Sequence, residues 1–363
     1  MLKQQKIFFD FLRFCIGSTK DIPSSLKEAD WKEQYAIAKK QALLGVLFYG
    51  IQRLPKELAP EQKLLMQWLA MAEMIRKQNI RLFLDSVKVC KNFENKGFAN
   101  CILKGQGNAL LYPDPYMRTP GDIDIYLSGG RKKIMKYVNR VCQNQVMRYH
   151  HVDFPVMKTA IEVHFTPSYM FYPIHNRRMQ KWFEKVMGEQ CNHRVSLLDG
   201  YGEIHVPQVS FNVIYILSHL YRHIFTEGIG LRQLLDYYYV LISDDLLLIR
   251  DRVQKELKPL GLWKFAQAVM FVMKEVFGLS EDRMIAPMDE KEGRFLLDEI
   301  MRGGNFGQYD DRMGSKVGES KIHRYFRMNL RNLRFVKHYP AEALSEPLFR
   351  TWFAVWKKIH GIE

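Results

Sequence analysis

Two aspartates stand two positions apart in a run whose other side chains are apolar. Asp122 and Asp124 alternate with Ile123 and Ile125, and successive side chains of a strand point to opposite faces. If the isoleucines face a core, both carboxylates lie on the other side of the strand. Adjacent carboxylates repel each other, which raises at least one pKa unless a cation compensates. Mg²⁺ prefers oxygen ligands, so this spacing predicts a magnesium site.

A third carboxylate follows in another alternating run. Ile161 and Val163 share one face of that run, and Glu162 and His164 share the other. A neighbouring strand would bring Glu162 alongside the aspartate pair. Asp153 competes with Glu162 for this role, but Glu162 has the cleaner alternation.

A glycine-containing turn precedes the aspartates. Leu103 ends an apolar run, and Lys104, Gly105 and Gln106 follow it before a short predicted helix. Glycine lets the backbone approach a ligand closely, and the N–H groups at a helix start favour a phosphate. A plain strand-to-helix turn explains the glycine equally well. Lys104 either neutralises a phosphate or reaches solvent.

In this order, the three segments resemble the motif of the nucleotidyltransferase superfamily, which shares the polymerase-β-like fold. That motif has an apolar residue, then Gly plus Gly or Ser at a helix start, then Asp-x-Asp on a strand and one more acid on a later strand. Here the positions are 103–106, 122–124 and Glu162. Gln106 stands where Ser is usual, and the interval from Gly105 to Asp122 is longer than in the minimal motif.

The pattern is also similar to a poorly characterised bacterial branch of this superfamily. In that branch an Arg precedes the paired acids, and a His and a Leu-Leu-Asp recur on later helices. The corresponding residues are Arg118, His223 and Asp236. The resemblance implies that His223 and Asp236 line the cleft opposite the carboxylates. Arg118 either clamps a triphosphate or forms a structural ion pair with Asp122 or Asp114.

The resemblance implies Mg²⁺-dependent transfer of a nucleoside monophosphate from an NTP to an acceptor, with release of pyrophosphate. One or two Mg²⁺ ions are expected. The implied catalytic and metal-binding residues are Asp122, Asp124 and Glu162. The implied nucleotide-binding residues are Lys104, Gly105, Gln106 and Arg118. The acceptor is left open among a small molecule, a protein and RNA, because fold resemblance does not choose among them.

Composition limits the class of protein. The chain has 363 residues, with 54 Lys and Arg against 39 acids and a net charge of +15, which favours an anionic partner such as a nucleotide, a nucleic acid or a membrane surface. The five cysteines form no Cys-x-x-Cys, so the pattern favours a reducing cytoplasm over a disulfide scaffold or a zinc site. The apolar run 42–51 is about half the length of a spanning helix, so no membrane insertion is expected.

The spacing of the hydrophobic residues predicts an α+β fold, with a small mixed sheet flanked by helical regions. The resemblance implies that this sheet is a nucleotidyltransferase core. The predicted domains are an N-terminal helical region at 1–95, an α/β core at 96–206 and a C-terminal helical domain at 207–363. The predicted elements include a long helix over 61–93, a strand over 98–103, a helix over 131–144 and paired strands over 148–156 and 159–166.

The C-terminal third leaves alternatives open. A polar stretch at 303–320 predicts a mobile loop. Beyond it, arginines follow helical spacing at Arg324, Arg327, Arg331 and Arg334, which is typical of a solvated face or of phosphate-backbone binding. An RNA-directed enzyme, an RNA-binding protein or an inactive nucleotide-binding regulator are therefore alternative interpretations. His219 and His223 are one turn apart, but no third metal ligand lies near them in the sequence.

Overall fold

The computed structural model describes residues 2–143, 145–313 and 320–360. It confirms the α+β fold: a four-stranded mixed sheet and a two-stranded sheet lie among helices. One hydrophobic core extends from the N-terminal helices through the sheet to the C-terminal helices.

The N-terminal part is helical. Its helices are α1 (Lys3–Cys15), α2 (Trp31–Lys40), α3 (Leu44–Ile51) and α4 (Gln62–Asn95). The long helix predicted over 61–93 is confirmed by α4. The indole N–H of Trp68 donates to the Leu44 carbonyl at 2.8 Å, which ties α4 to the start of α3. Asn79, buried on the same helix, donates to the carbonyls of Tyr116 and Arg118, so α4 also positions the loop before the acidic strand.

The central part holds the sheets. Its elements are β1 (Asn100–Ile102), α5 (Gln106–Ala109), β2 (Ile123–Leu127), α6 (Gly130–Val141), β3 (His151–Asp153), β4 (Ile161–His164), α7 (Pro173–Gln190), β5 (Arg194–Ser196) and β6 (Glu203–His205). The larger sheet has the order β1-β2-β4-β3. β1 and β2 are antiparallel, β2 and β4 are parallel, and β3 and β4 are antiparallel.

The predicted mixed sheet and the predicted pairing of the strands over 148–156 and 159–166 are therefore confirmed. The strand expected over 98–103 is shorter in the structure, although the Leu103 N–H still donates to the Asp124 carbonyl at 2.9 Å and extends the pairing. The helix expected over 131–144 ends at Val141, and Asn144 lies outside the described residues.

Helices form the rest of the chain. They are α8 (Val209–Thr226), α9 (Leu231–Leu241), α10 (Asp245–Leu257), α11 (Trp263–Phe277), α12 (Glu290–Gly303), α13 (Lys321–Val336) and α14 (Pro340–Ile359). α8 is buried along most of its length, and α9, α10, α13 and α14 all pack against it. α8 is therefore the central support of this region.

The stretch predicted as a mobile loop contains short 3₁₀ turns at Asn305–Gly307 and Asp311–Met313, while its residues 314–319 lie outside the described part. In the parts of the chain that the structure describes, no helix combines the length and the apolar composition needed to cross a membrane.

Candidate active site

The parallel pairing of β2 and β4 brings the predicted acids together. Asp124 and Glu162 are register partners across these strands, and Ile123 and Ile125 are fully buried on the opposite face of β2. Asp122 immediately precedes β2. All three carboxylates line one cleft of about 890 Å³. Asp153 is also a register partner of Glu162, but it is not among the residues that line this cleft.

Asp124 is held by two cationic or polar partners. Lys104 Nζ lies 2.8 Å from Asp124 Oδ2, and His164 Nε2 lies 3.0 Å from Asp124 Oδ1. Burial alone would raise the pKa of Asp124, but the charge of Lys104 and the hydrogen bond from His164 outweigh it and lower the pKa. Asp124 is therefore a carboxylate at neutral pH.

Asp122 has the opposite environment. The negative charge of Asp124, together with burial, raises the pKa of Asp122 to about 6, although Lys104 acts against this rise. A raised pKa in a pair of carboxylates shows that nearby cations do not fully compensate their negative charges. Lys104 compensates only part of the charge of Asp122 and Asp124, so a further cation would be stabilised here.

Glu162 is backed by two histidines. Glu162 Oε2 lies 3.2 Å from His151 Nδ1 and 3.6 Å from His164 Nε2. Burial raises the pKa of Glu162, but the nearby imidazoles of His164 and His151 outweigh that effect and lower the pKa. Conversely, burial lowers the pKa of His164, but its hydrogen bond to Asp124 and the nearby Glu162 carboxylate raise the pKa overall.

The donor set fits a hard divalent cation. Asp124, Glu162 and His164 each offer one ligand atom, and these three atoms lie within 4.8 Å of one another. Asp122 is also close, because repulsion from Asp124 is the largest cause of its raised pKa. Carboxylate oxygens are the protein ligands that Mg²⁺ prefers. Mg²⁺ at this point would also relieve the repulsion between the two aspartates.

The glycine turn lies behind this carboxylate group. Gly105 has a φ of +62°, which favours glycine, and it immediately precedes the short helix α5. The Gln106 side chain is buried and accepts a hydrogen bond from Ser86 Oγ at 3.3 Å. Of the turn residues predicted to bind the nucleotide, Lys104 lines the cleft, whereas Gly105 and Gln106 do not.

Arg118 forms a buried ion pair with Asp236. Its Nε and Nη2 atoms donate to the two carboxylate oxygens at 2.8 and 2.7 Å, and the Tyr112 hydroxyl donates to Oδ1 at 2.7 Å. Arg118 is only 2% exposed, and neither member of the pair lines the cleft. Of the two interpretations of Arg118, this geometry matches a structural bridge, but its partner lies on α9 and is neither Asp122 nor Asp114.

Another part of the cleft wall comes from α8. His223 lines it, as the resemblance implied, and so do His219 and Arg222. His219 Nε2 lies 3.3 Å from Lys104 Nζ, and Arg222 Nη2 lies 3.0 Å from His223 Nε2 and 3.3 Å from His219 Nδ1. A chain of polar contacts therefore runs from Asp124 through Lys104 to the last turns of α8.

Sequence reasoning missed several of these contacts. The alternation placed His164 on the face of Glu162, which was a usable signal for its role beside the acids. His151 gave no such signal, because its place beside Glu162 depends on the register of β3. Arg222 was missed because only the rotation of α8 in the folded protein directs it to the cleft.

The chain also matches a family model described as an uncharacterised nucleotidyltransferase, over residues 27–278. The chain belongs to this nucleotidyltransferase family. No curated protein and no solved structure matches the chain. The matched range contains the sheet, the three carboxylates and α8. It ends before α12, so the parts of the cleft wall contributed by α13 and α14 lie beyond the family match.

Proposed function

We propose that this protein catalyses Mg²⁺-dependent transfer of a nucleoside monophosphate from an NTP to an acceptor, with release of pyrophosphate. One observation carries the proposal: Asp122, Asp124 and Glu162 converge from two parallel strands on the wall of a large cleft, beside Lys104. Membership of the nucleotidyltransferase family supports the same reaction class.

Asp122 and Asp124 are the proposed ligands of the first Mg²⁺, and Glu162 is the proposed ligand of a second. When bound there, Mg²⁺ would neutralise negative charge on the triphosphate oxygens and at the α-phosphorus. Asp124 is ready for this role because its lowered pKa keeps it ionised, and His164 fixes its orientation. Asp122 must lose its proton, since its pKa is raised to about 6.

The chain's own groups perform the remaining tasks. Lys104, which reaches the cleft beside Asp124, attracts the triphosphate. The acceptor's hydroxyl or amino group attacks the α-phosphorus, the bond from that phosphorus to the α–β bridging oxygen breaks, and pyrophosphate leaves with the bonding electrons. The proton of the attacking group passes to Glu162 or to solvent, depending on whether Glu162 holds a second cation.

Arg118 acts indirectly in this proposal. Its bidentate pair with Asp236 joins the loop before β2 to α9, so it holds the aspartates in place relative to α9, which packs against α8. The backbone of Gly105 allows the sharp turn that brings Lys104 to the cleft.

Calorimetry with Mg²⁺ and each of the four common ribonucleoside triphosphates tests the proposal. The wild type should bind at least one Mg²⁺·NTP pair, and the variant Asp122→Asn/Asp124→Asn should lose that binding. A matched control is Asp244→Asn/Asp245→Asn, which removes two carboxylates near the start of α10, outside the cleft. Equal Mg²⁺·NTP binding by wild type and the Asp122/Asp124 variant would defeat the proposal. Pyrophosphate release across a panel of acceptors then separates an enzyme from an inactive nucleotide-binding regulator.

A further inference from the structure

The cleft has two poles of opposite charge. The carboxylates Asp122, Asp124 and Glu162 line one part of the cleft, and arginines from α8 and α13 line another. Two more acids line the cleft near these arginines, but Glu227 is paired with His223, and Asp310 is paired with Arg312 and Arg334. Lys104 belongs to the carboxylate pole, because it is in direct contact with Asp124. The basic pole consists of the arginines from α8 and α13 that line the cleft. The His219 imidazole lies between Lys104 and Arg222, the first of these arginines.

Arg222 is the inner member of the basic pole. Its side chain lines the cleft although the residue is only 8% exposed. Its guanidinium contacts the imidazoles of His219 and His223, forms a side-chain hydrogen bond with Tyr169 and lies 5.1 Å from the Tyr169 ring centroid. Among the residues that the structure describes, no carboxylate forms an ion pair with Arg222, and its Nε is buried without a hydrogen-bond partner.

Arg331 is the second member, and it comes from α13. It also lines the cleft and is 9% exposed. The acids nearest to it, Glu299 and Asp310, are paired with Arg312 and Arg334. Within the described part of the chain, Arg331 has no ion pair of its own, and its Nη1 is buried without a hydrogen-bond partner. Burial, reinforced by the charge of Arg334, lowers the pKa of Arg331 to about 10, which reflects how little negative charge compensates it.

Two nearly buried guanidinium groups without carboxylate partners are costly unless an anion completes their hydrogen bonds. Guanidinium groups match the oxygens of a phosphate in fork geometry. Arg324 and Lys357 extend the positive charge towards the mouth of the same cleft. More than one cation around one space favours a ligand group with more than one negative charge, as a phosphate has.

We infer that Arg222 and Arg331 bind a phosphate group of the acceptor, so that the acceptor is a phosphorylated molecule whose nucleophile points towards Asp122 and Glu162. The acceptor role of the bound molecule rests on the proposed nucleotidyl transfer, but the existence of the anion site does not. The NTP's own phosphates are assigned to the carboxylate pole, where Lys104 lies. Arg331 lies on α13, beyond the range of the family match. This location is expected of a residue that selects an acceptor particular to this protein.

The phosphate has two possible sources, a small phosphate ester or the backbone of a nucleic acid. Ribose 5-phosphate, with ribose as its uncharged control, represents the first source. An eight-nucleotide oligouridylate without terminal phosphates represents the second. Binding of a nucleic acid should weaken steeply as salt rises, because each phosphate contact releases counterions. Binding of a small ester involves one phosphate and should weaken much less.

The test is calorimetry on the full chain, without Mg²⁺ or nucleotide, using inorganic phosphate and then the two probes. The variant Arg222→Gln/Arg331→Gln should lose phosphate affinity by about tenfold or more, because two charge-assisted interactions are removed. Arg294→Gln is the matched control, since Arg294 is exposed on α12 and pairs with Glu290 outside the cleft. It should bind phosphate as the wild type does.

Two further variants keep the test decisive if the double variant does not fold. Arg331→Lys keeps the positive charge but loses the bidentate hydrogen bonding of the guanidinium group. Its phosphate affinity should lie between those of the wild type and the double variant. Arg324→Gln/Lys357→Gln acts at the rim of the cleft and should reduce phosphate affinity by about threefold. Unchanged phosphate affinity in all of these variants would overturn the inference.

Mg²⁺·NTP binding separates this inference from the proposed function. Asp122→Asn/Asp124→Asn should lose Mg²⁺·NTP and keep phosphate, whereas Arg222→Gln/Arg331→Gln should do the reverse. If the arginine variant loses both ligands equally, the basic pole holds the nucleotide and the inference is wrong. If the wild type binds phosphate through the arginines but no Mg²⁺·NTP, the proposed function fails, and the anion site remains without an acceptor role.

Discussion

Lys104 Nζ and Asp124 Oδ2 are 2.8 Å apart, so the turn before the paired aspartates is joined directly to one of them. Burial lowers the pKa of Lys104, but the charges of Asp124 and Asp122 outweigh this effect and raise it. Lys104 is therefore protonated at neutral pH and occupies one carboxylate oxygen that a cation would otherwise approach.

Substitution of Lys104 should move two affinities in opposite directions. In Lys104→Met, Mg²⁺ alone should bind about tenfold more tightly, because a competing positive charge is gone. The variant should bind Mg²⁺·NTP at least about tenfold more weakly than the wild type does, because a cation that attracts the triphosphate is lost. Calorimetry measures both. The control Lys136→Met, at an exposed position on α6, should change neither. Parallel changes in the two affinities would show that Lys104 does not discriminate between metal and nucleotide.

The ion pair between Arg118 and Asp236 distinguishes a structural role from nucleotide binding. Arg118→Met should reduce the free energy of unfolding by about 3–5 kcal/mol, because it leaves the buried Asp236 carboxylate without its partner. Arg118→Met/Asp236→Leu should recover part of that loss, since no unpaired charge remains. Denaturant unfolding measures these effects. If Arg118→Met unfolds like the wild type and instead loses NTP affinity, Arg118 is a triphosphate clamp.

Metal affinity should depend on the protonation of Asp122. Repulsion from Asp124 and burial raise the pKa of Asp122 to about 6, so below that pH a bound Mg²⁺ must displace a proton. The apparent Mg²⁺ affinity should fall by up to about tenfold per pH unit below pH 6 and level off above pH 7. Calorimetric titrations between pH 5 and 8 test this, and Asp122→Asn should bind more weakly with a flatter profile. A flat wild-type profile would exclude Asp122 as the titrating ligand.

Local patterns in the sequence predicted much of the fold. Alternation identified the faces of β2 and β4, because each of these strands has one buried apolar face. The helical period identified α4 almost to its ends. These features depend on residues close together in the chain, which is why they can be read without a structure.

The remaining features depend on contacts between distant segments. Arg118 pairs with Asp236 only when α9 packs against α5 and α8, and the sequence offered Asp122 and Asp114, which are nearer along the chain. Likewise, Gln106 turns towards Ser86 on α4, and Arg222 faces the cleft only because of how α8 is rotated. No periodic pattern encodes these relative placements.

The histidines around the cleft should make the fold sensitive to mild acid. Burial, as the largest cause, lowers the pKa of His151 to about 3 and that of His223 to about 4, and it holds the pKa values of His150 and His219 well below 6.5. In the unfolded chain each histidine takes up a proton near pH 6.5. The unfolded state therefore binds more protons than the folded state below that pH, and stability falls as pH falls.

The expected slope is up to about 1.4 kcal/mol per pH unit for each such histidine between pH 6 and 4, before carboxylates contribute. His164 acts in the opposite sense, since its folded pKa is raised; its contribution is present at low pH and is lost as pH rises through that value. Urea unfolding at several pH values measures the net slope. His223→Asn should reduce the slope by the contribution of one histidine, because the folded protein keeps the pKa of His223 at about 4. Stability that stays constant from pH 7 to pH 4.5 would mean that these imidazoles are protonated in the folded protein.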